Sequence, residues 1–76
     1  MSLMEKLTFQ LKDEFIELNK LLKVMGLCES SGAGKALVAS GDVRVNGQVE
    51  LRKACKIRAG AVVTLEGAAI TVIAQR

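Results

Sequence analysis

Histidine, proline, tryptophan and tyrosine are all missing from this 76-residue chain, and its only aromatic residues are Phe9 and Phe15. Without histidine there is no Ser-His or Cys-His pair and no side chain whose ordinary pKa lies near neutrality. Asp13, Glu14 and Glu17 offer paired carboxylates, but negative charge at a helix start accounts for them more simply. The chain therefore reads as a non-enzyme with no catalytic residue. Cys28 and Cys55 stand 27 positions apart, whereas a zinc site needs closely spaced ligand pairs. They read as small buried residues, with no metal, cofactor or small-molecule substrate implied. No apolar run approaches the roughly 20 residues that span a bilayer, and no signal-peptide pattern opens the chain. A soluble, cytoplasmic protein without membrane association is expected.

What remains is a globular composition, half hydrophobic and a quarter charged. With so few aromatics, the core has to be built from Leu, Val, Ile and Ala. Met1-Ser2-Leu3, ahead of a second methionine, reads as an expression leader, and residues 4–76 read as one domain. A domain of this size buries only about 60% of its unfolded surface, so little of it is spare. The net charge of +3 is unevenly spread, with −2 over residues 4–19 and +5 over residues 20–76. Such asymmetry suits a polyanion-binding face, and solubility alone also accounts for it.

Leu7, Phe9 and Leu11 alternate with polar residues, as in a strand. Asp13 is a plausible N-cap for a helix over 14–25. At 100° per residue that helix gathers Phe15, Leu18, Leu21, Leu22 and Met25 on one arc, with Asn19, Lys20 and Lys23 on another. Gly26 ends it. Ser30 or Ser31 caps a second helix running to about Ser40, expected to pack through Ala33, Ala36 and Leu37 and to stop at Gly41. Val43/Val45 and Val49/Leu51 flank Asn46-Gly47, the preferred pair for a two-residue hairpin turn. A second strand pair, 62–66 and 70–74, is joined at Gly67-Ala68, after a turn at Gly60.

The stretch from Ser30 to Gly47 is the functional centre of this reading. A helix start offers free N–H groups and positive dipole to an anion, and Lys35 adds a charge one turn in. Ser-Gly-Ala-Gly-Lys is not a nucleotide-binding loop. That motif needs Gly where Glu29 stands, Ser or Thr where Ala36 stands, and a parallel βαβ unit. Basic residues recur around the stretch: Lys20, Lys23, Lys35, Arg44, Arg52, Lys53, Lys56 and Arg58. They read either as one cationic face or as a solvated surface with helix-end lysines. In the segment after the first hairpin, Cys55 and Ile57 share one side, and Lys56 and Arg58 the other. Single-strand readers stack bases on aromatic rings, and both phenylalanines here sit at core-like positions. Phosphate and shape recognition of folded RNA is thereby favoured.

Leu18-x-x-Leu21-Leu22, Gly26-Leu27, Ser30, Lys35-Ala36-Leu37-Val38, Gly41-x-Val43-x-Val45-Asn46-Gly47 and Gly60 resemble the S4 RNA-binding domain, the αL motif. Glu50-x-Arg52-Lys53-x-Cys55-Lys56-Ile57-x-Ala59-Gly60 is similar to the small stand-alone bacterial proteins of the YbcJ type within it, over nearly all of residues 7–74. The resemblance implies a protein that binds structured RNA, ribosomal or transfer RNA, through a face built from two helices and a hairpin; a monomer is the default expectation. It carries RNA contacts onto Lys35, Arg44, Asn46, Arg52, Lys53 and Lys56. Ser31 and Glu17 occupy positions where many family members have arginine, which shifts the cationic weight toward Arg52, Lys53 and Lys56.

The expected fold is thus α+β, in the order β-α-α-β-β-β-β, with two short helices on a small bent antiparallel sheet. The expected RNA-facing set is Lys20, Lys23, Ser31, Lys35, Arg44, Asn46, Arg52, Lys53, Lys56 and Arg58. The alternative is a protein-interaction module on the same scaffold with little RNA affinity, for which the missing arginines argue.

Overall fold

The computed structural model describes residues 4–74; the suggested leader Met1-Ser2-Leu3 lies outside them. Strand β1 (Glu5–Gln10) and a two-residue β2 (Ile16–Glu17) precede helices α1 (Leu18–Val24) and α2 (Ser31–Ala39). The short strands β3 (Arg44–Val45), β4 (Gln48–Val49) and β5 (Lys56–Ile57) follow, then β6 (Val62–Leu65) and β7 (Ala68–Ile73). The α+β class is as expected, but the order gains β2 and β5, which form a sheet of their own.

The main sheet has the order β1-β7-β6-β3-β4. It is mixed, where the sequence suggested an antiparallel one: β1 runs parallel to β7, with Leu7 opposite Ile70 and Phe9 opposite Val72. Alternation along a strand reveals its two faces and says nothing of its direction. A parallel pair needs a long crossover, and here everything between β1 and β7 supplies it. Leu11, Leu18, Leu21, Leu22, Val38, Val43, Ile57, Val63, Ile70 and Val72 form the buried core. It is fully aliphatic, as the composition required.

The start of α1 departs most from expectation. Asp13 is not its cap; the helix begins five residues later, at Leu18, with Glu17 at the cap position making no side-chain cap bond. Residues 16 and 17 are instead drawn into pairing, Ile16 with Ile57 and Glu17 with Lys56. The first amides of α1 then donate to the far loop: Leu18 N to the Cys55 carbonyl at 2.9 Å and Asn19 N to that of Lys53 at 3.0 Å. Backbone from a distant part of the chain does the work of a capping side chain. Asn19, expected on the polar arc, is buried. The C-terminus behaves as predicted. Gly26 takes φ +78°, its N–H reaches the Lys23 carbonyl and the Leu27 N–H that of Leu22, the paired bonds of a left-handed C-terminal cap.

In α2, Ser30 is the cap, its Oγ accepting from Ala33 N at 3.1 Å. The buried positions are Gly34 and Val38, with Leu37 partly buried. Ala33 and Ala36, expected to pack, are exposed. Gly34 sets this rotation, because α2 crosses α1 where a Cβ at position 34 would lie 2.8 Å from the Asn19 carbonyl oxygen. The hairpin turn has Asn46 at φ 53° and Gly47 at φ 87°, the left-handed pair that a type I′ turn demands. Asn46 also ties β3 to β6: its N–H donates to the Val62 carbonyl at 2.8 Å and its Oδ1 accepts from Val62 N at 2.9 Å. The second hairpin turns at Glu66-Gly67, one position earlier than expected, since Leu65 pairs with Ala68.

Candidate nucleic-acid interface

Residues 50–61 follow the first hairpin and lie along the edge where β2, β5 and the start of α1 meet. Ile57 is anchored in the core, so the alternation of β5 sends Lys56 and Arg58 outward. Both lie over the ring of Phe15, Lys56 Nζ at 5.0 Å and Arg58 Cζ at 5.6 Å from its centroid. Such contacts contribute about 0.5–1 kcal/mol at exposed sites and restrain the cations further. Phe15 is not a core residue, contrary to expectation. It is only partly buried and lies before α1, outside the helix whose apolar arc it was expected to join.

Two shallow depressions meet at these cations. One, of about 500 Å³, is lined by Arg52, Ala54, Cys55, Lys56 and Arg58. The other, of about 340 Å³, is lined by residues that include Asn46, Lys56, Arg58 and Gly60. Sharing Lys56 and Arg58, they make a continuous surface from Arg52 to the tip of the first hairpin.

Arg52 is held differently. Its Nε donates to Glu50 Oε2 at 2.9 Å, its Nη2 to Oε1 at 3.2 Å and its backbone N to Oε2 at 3.0 Å. The side-chain hydrogen bond from Arg52, then the one from its backbone, hold the Glu50 carboxyl at about 2, well below its ordinary 4.5. The same partner raises the pKa of Arg52. Burial, then the Glu50 charge, pushes the Cys55 thiol up, which disfavours its thiolate. Because the folded-state value of Glu50 is depressed, its contribution to stability is complete above about pH 4.5 and is lost as pH falls toward about 2. Glu50→Gln is expected to flatten acid unfolding in that window, followed by circular dichroism. An unchanged acid profile would show that the pair does not form in solution.

The other expected contacts are more dispersed. Lys53 is exposed, and its carbonyl caps α1. Lys20 makes an exposed ion pair with Glu17 at 3.6 Å, and Glu17 also stands opposite Lys56 across the β2–β5 pair. Lys23 lies exposed in the last turn of α1. Lys35 is exposed on α2, and Ser31 is its half-buried first residue. Arg44 is not brought to the Arg52–Arg58 surface. Val45 and the buried Val43 take the core side, so Arg44 points to the opposite sheet face. There it lines a separate depression with Met4, Asp42, Thr64, Leu65 and Glu66. Sequence reading missed Phe15 and Glu50 as parts of this surface. The pattern around Phe15 suggested a helix, and its partners lie more than 40 positions away; Glu50 was visible only as one residue of a motif. Among the described residues no group of His, Cys, Asp or Glu could hold a metal ion, and no helix is long and apolar enough to cross a membrane.

An αL pair of helices joined to a β-hairpin, with cations along the following segment, defines a class. Residues 9–73 match the S4 domain model, and the chain belongs to the S4 domain family. Within it, the chain is 46% identical over 68 residues to the candidate RNA-binding protein YbcJ of Escherichia coli K12, covering 88% of this chain and 97% of that one. YbcJ of Shigella flexneri matches to the same extent. The solution structure of E. coli YbcJ, described as revealing an αL motif involved in RNA binding, superposes with a TM-score of 0.68 at 45% identity. That match covers 87% of this chain and 85% of the other.

Proposed function

We propose that the protein is a small non-catalytic RNA-binding protein that recognises structured RNA through phosphate contacts from its Lys/Arg face. The observation that carries the reading is the joined surface on which Arg52, Lys56 and Arg58 meet, in a chain of the S4 family. The described name of the E. coli relative supports it. The protein acts as a monomer in the cytoplasm, with ribosomal or transfer RNA as its target. Lys35, Lys53, Lys20 and Lys23 extend the contact set along the helices, Ser31 marks the entry to α2, and Asn46 borders the hairpin end.

Both phenylalanines are engaged with protein neighbours, so base stacking contributes little and folded RNA is preferred over unstructured strands. Binding to ribosomal and transfer RNA is expected to fall steeply between about 50 and about 200 mM salt, with log K dropping by roughly 0.7–0.9 per log salt for each phosphate neutralised.

A second reading, a protein-interaction module, has one observation in its favour. Phe9, Leu11, Phe15, Ile16 and the exposed Val24 line an apolar groove of about 320 Å³, with Lys12 and Asp13 at its side. Weak RNA binding indifferent to salt would favour this reading over the first.

A further inference from the structure

Glu50 places an acid within a surface that otherwise gathers cations. Counted as charge alone, it works against a polyanion and cancels Arg52. The geometry says more. The Glu50 side chain is only 17% exposed while that of Arg52 is 79% exposed, so the carboxylate forms a shelf beneath an open guanidinium. It takes Nε and one hydrogen of Nη2, the side-on edge of the fork, and the Arg52 backbone N–H closes the loop onto the same carboxylate. A guanidinium has five N–H donors in one plane. Nη1 makes no hydrogen bond among the described residues, and the second hydrogen of Nη2 meets only the Cys55 sulfur, a weak acceptor at 3.9 Å, which a phosphate oxygen can displace. The end-on edge that these two donors form matches two oxygens of a phosphate. Arg52 itself lines the depression that Lys56 and Arg58 also line.

We infer that Glu50 is a positioning residue: it holds Arg52 by one edge so that the other is pre-aimed at an RNA backbone phosphate beside Lys56 and Arg58. This rests on the RNA-binding reading. An unrestrained arginine must be immobilised on binding, and that loss weakens affinity. Arg52 arrives already ordered, with its charge still accessible because the acid lies behind it.

The two views of Glu50 make opposite predictions. If it only cancels charge, Glu50→Gln adds one net positive charge and tightens RNA binding. If it aims Arg52, Glu50→Gln weakens binding by about three- to tenfold, with a salt slope no steeper than the parent's. Arg52→Lys keeps the charge and the backbone bond to Glu50 but has no fork, so it is expected to weaken binding comparably. The double variant should bind no more weakly than Arg52→Lys alone, since both changes remove one device. Glu66→Gln, which neutralises an acid on the Arg44 side of the sheet, serves as the charge control and should bind as well as the parent or better.

The measurement is a titration of a folded transfer RNA at two salt concentrations, with circular dichroism showing each variant folded at the assay temperature. Tighter binding by Glu50→Gln, or parental binding by Arg52→Lys, overturns the inference while the RNA reading stands. Should Glu50→Gln fail to fold, the Arg52→Lys result decides alone. A parent protein that binds no folded RNA sinks the functional reading and this one with it.

Discussion

Replacing Lys56 and Arg58 together by glutamine is expected to weaken binding to folded RNA by at least about a hundredfold at low salt, taking each charged hydrogen bond as contributing about 1.5–3 kcal/mol. The salt slope should become shallower by about 2, because two phosphate contacts are gone. Glutamine suits this test better than glutamate, since Lys56 stands opposite Glu17 on β2 and a like-charged pair there would unsettle the strands. Ile57, buried between the two, keeps β5 in place. The double variant should therefore melt within a few degrees of the parent, losing only the two contacts with the Phe15 ring. Arg44→Gln is the companion measurement. Arg44 faces the other side of the sheet beside Asp42 and Glu66, so its loss should cost far less affinity than either Lys56 or Arg58. If Arg44→Gln matches the double variant, the binding face is misassigned.

Gly34→Ala should destabilise the domain by about 1–2 kcal/mol, even though alanine is the better helix former by about 1 kcal/mol. The added methyl would sit 2.8 Å from the Asn19 carbonyl oxygen and 3.3 Å from Cys28 Sγ. Backbone cannot yield there without parting α1 from α2, and overpacking of this kind costs about 1–3 kcal/mol. For a domain of this size each kcal/mol shifts the melting temperature by about 4–8 °C. Gly32→Ala, two residues earlier, meets only Ser30 Oγ at 3.8 Å and is expected to be neutral or slightly stabilising. Without tryptophan or tyrosine, both melts are best followed by far-ultraviolet circular dichroism. Equal melting temperatures for the two variants would show that the helices do not cross at Gly34. The pair also separates two roles for small residues in this helix, since close approach of a phosphate would have made both glycines matter to binding rather than one to folding.

How much of this was readable before any coordinates depends on the range of the interaction. Features set by neighbours in the chain were recovered closely: the Ser30 cap, the Gly26 stop, the Asn46-Gly47 turn, the alternation of Cys55 and Ile57 against Lys56 and Arg58, and the aliphatic core. Each follows from the preferences of a few adjacent residues; the place among S4 domains came instead from the resemblance of the motifs between Leu18 and Gly60 to that family. Features set by contact across the chain were not recovered. The parallel pairing of β1 with β7, the shortening of α1, the burial of Asn19 and the close approach at Gly34 all need partners from 15 to more than 60 residues away.

The functional surface divides in the same way. Composition and spacing were enough to exclude histidine-dependent catalysis and to mark Arg52, Lys56 and Arg58 as candidates. Which cations lie together was decided by the tertiary structure. The β2–β5 pairing brings Phe15 under Lys56 and Arg58, the alternation of β3 turns Arg44 to the far face, and only the contact of Glu50 with Arg52, two residues on, is local. Charge counted along a chain has no direction. Only a fold in which buried residues such as Val43 and Ile57 have claimed the interior gives each neighbouring cation a side of the molecule to face.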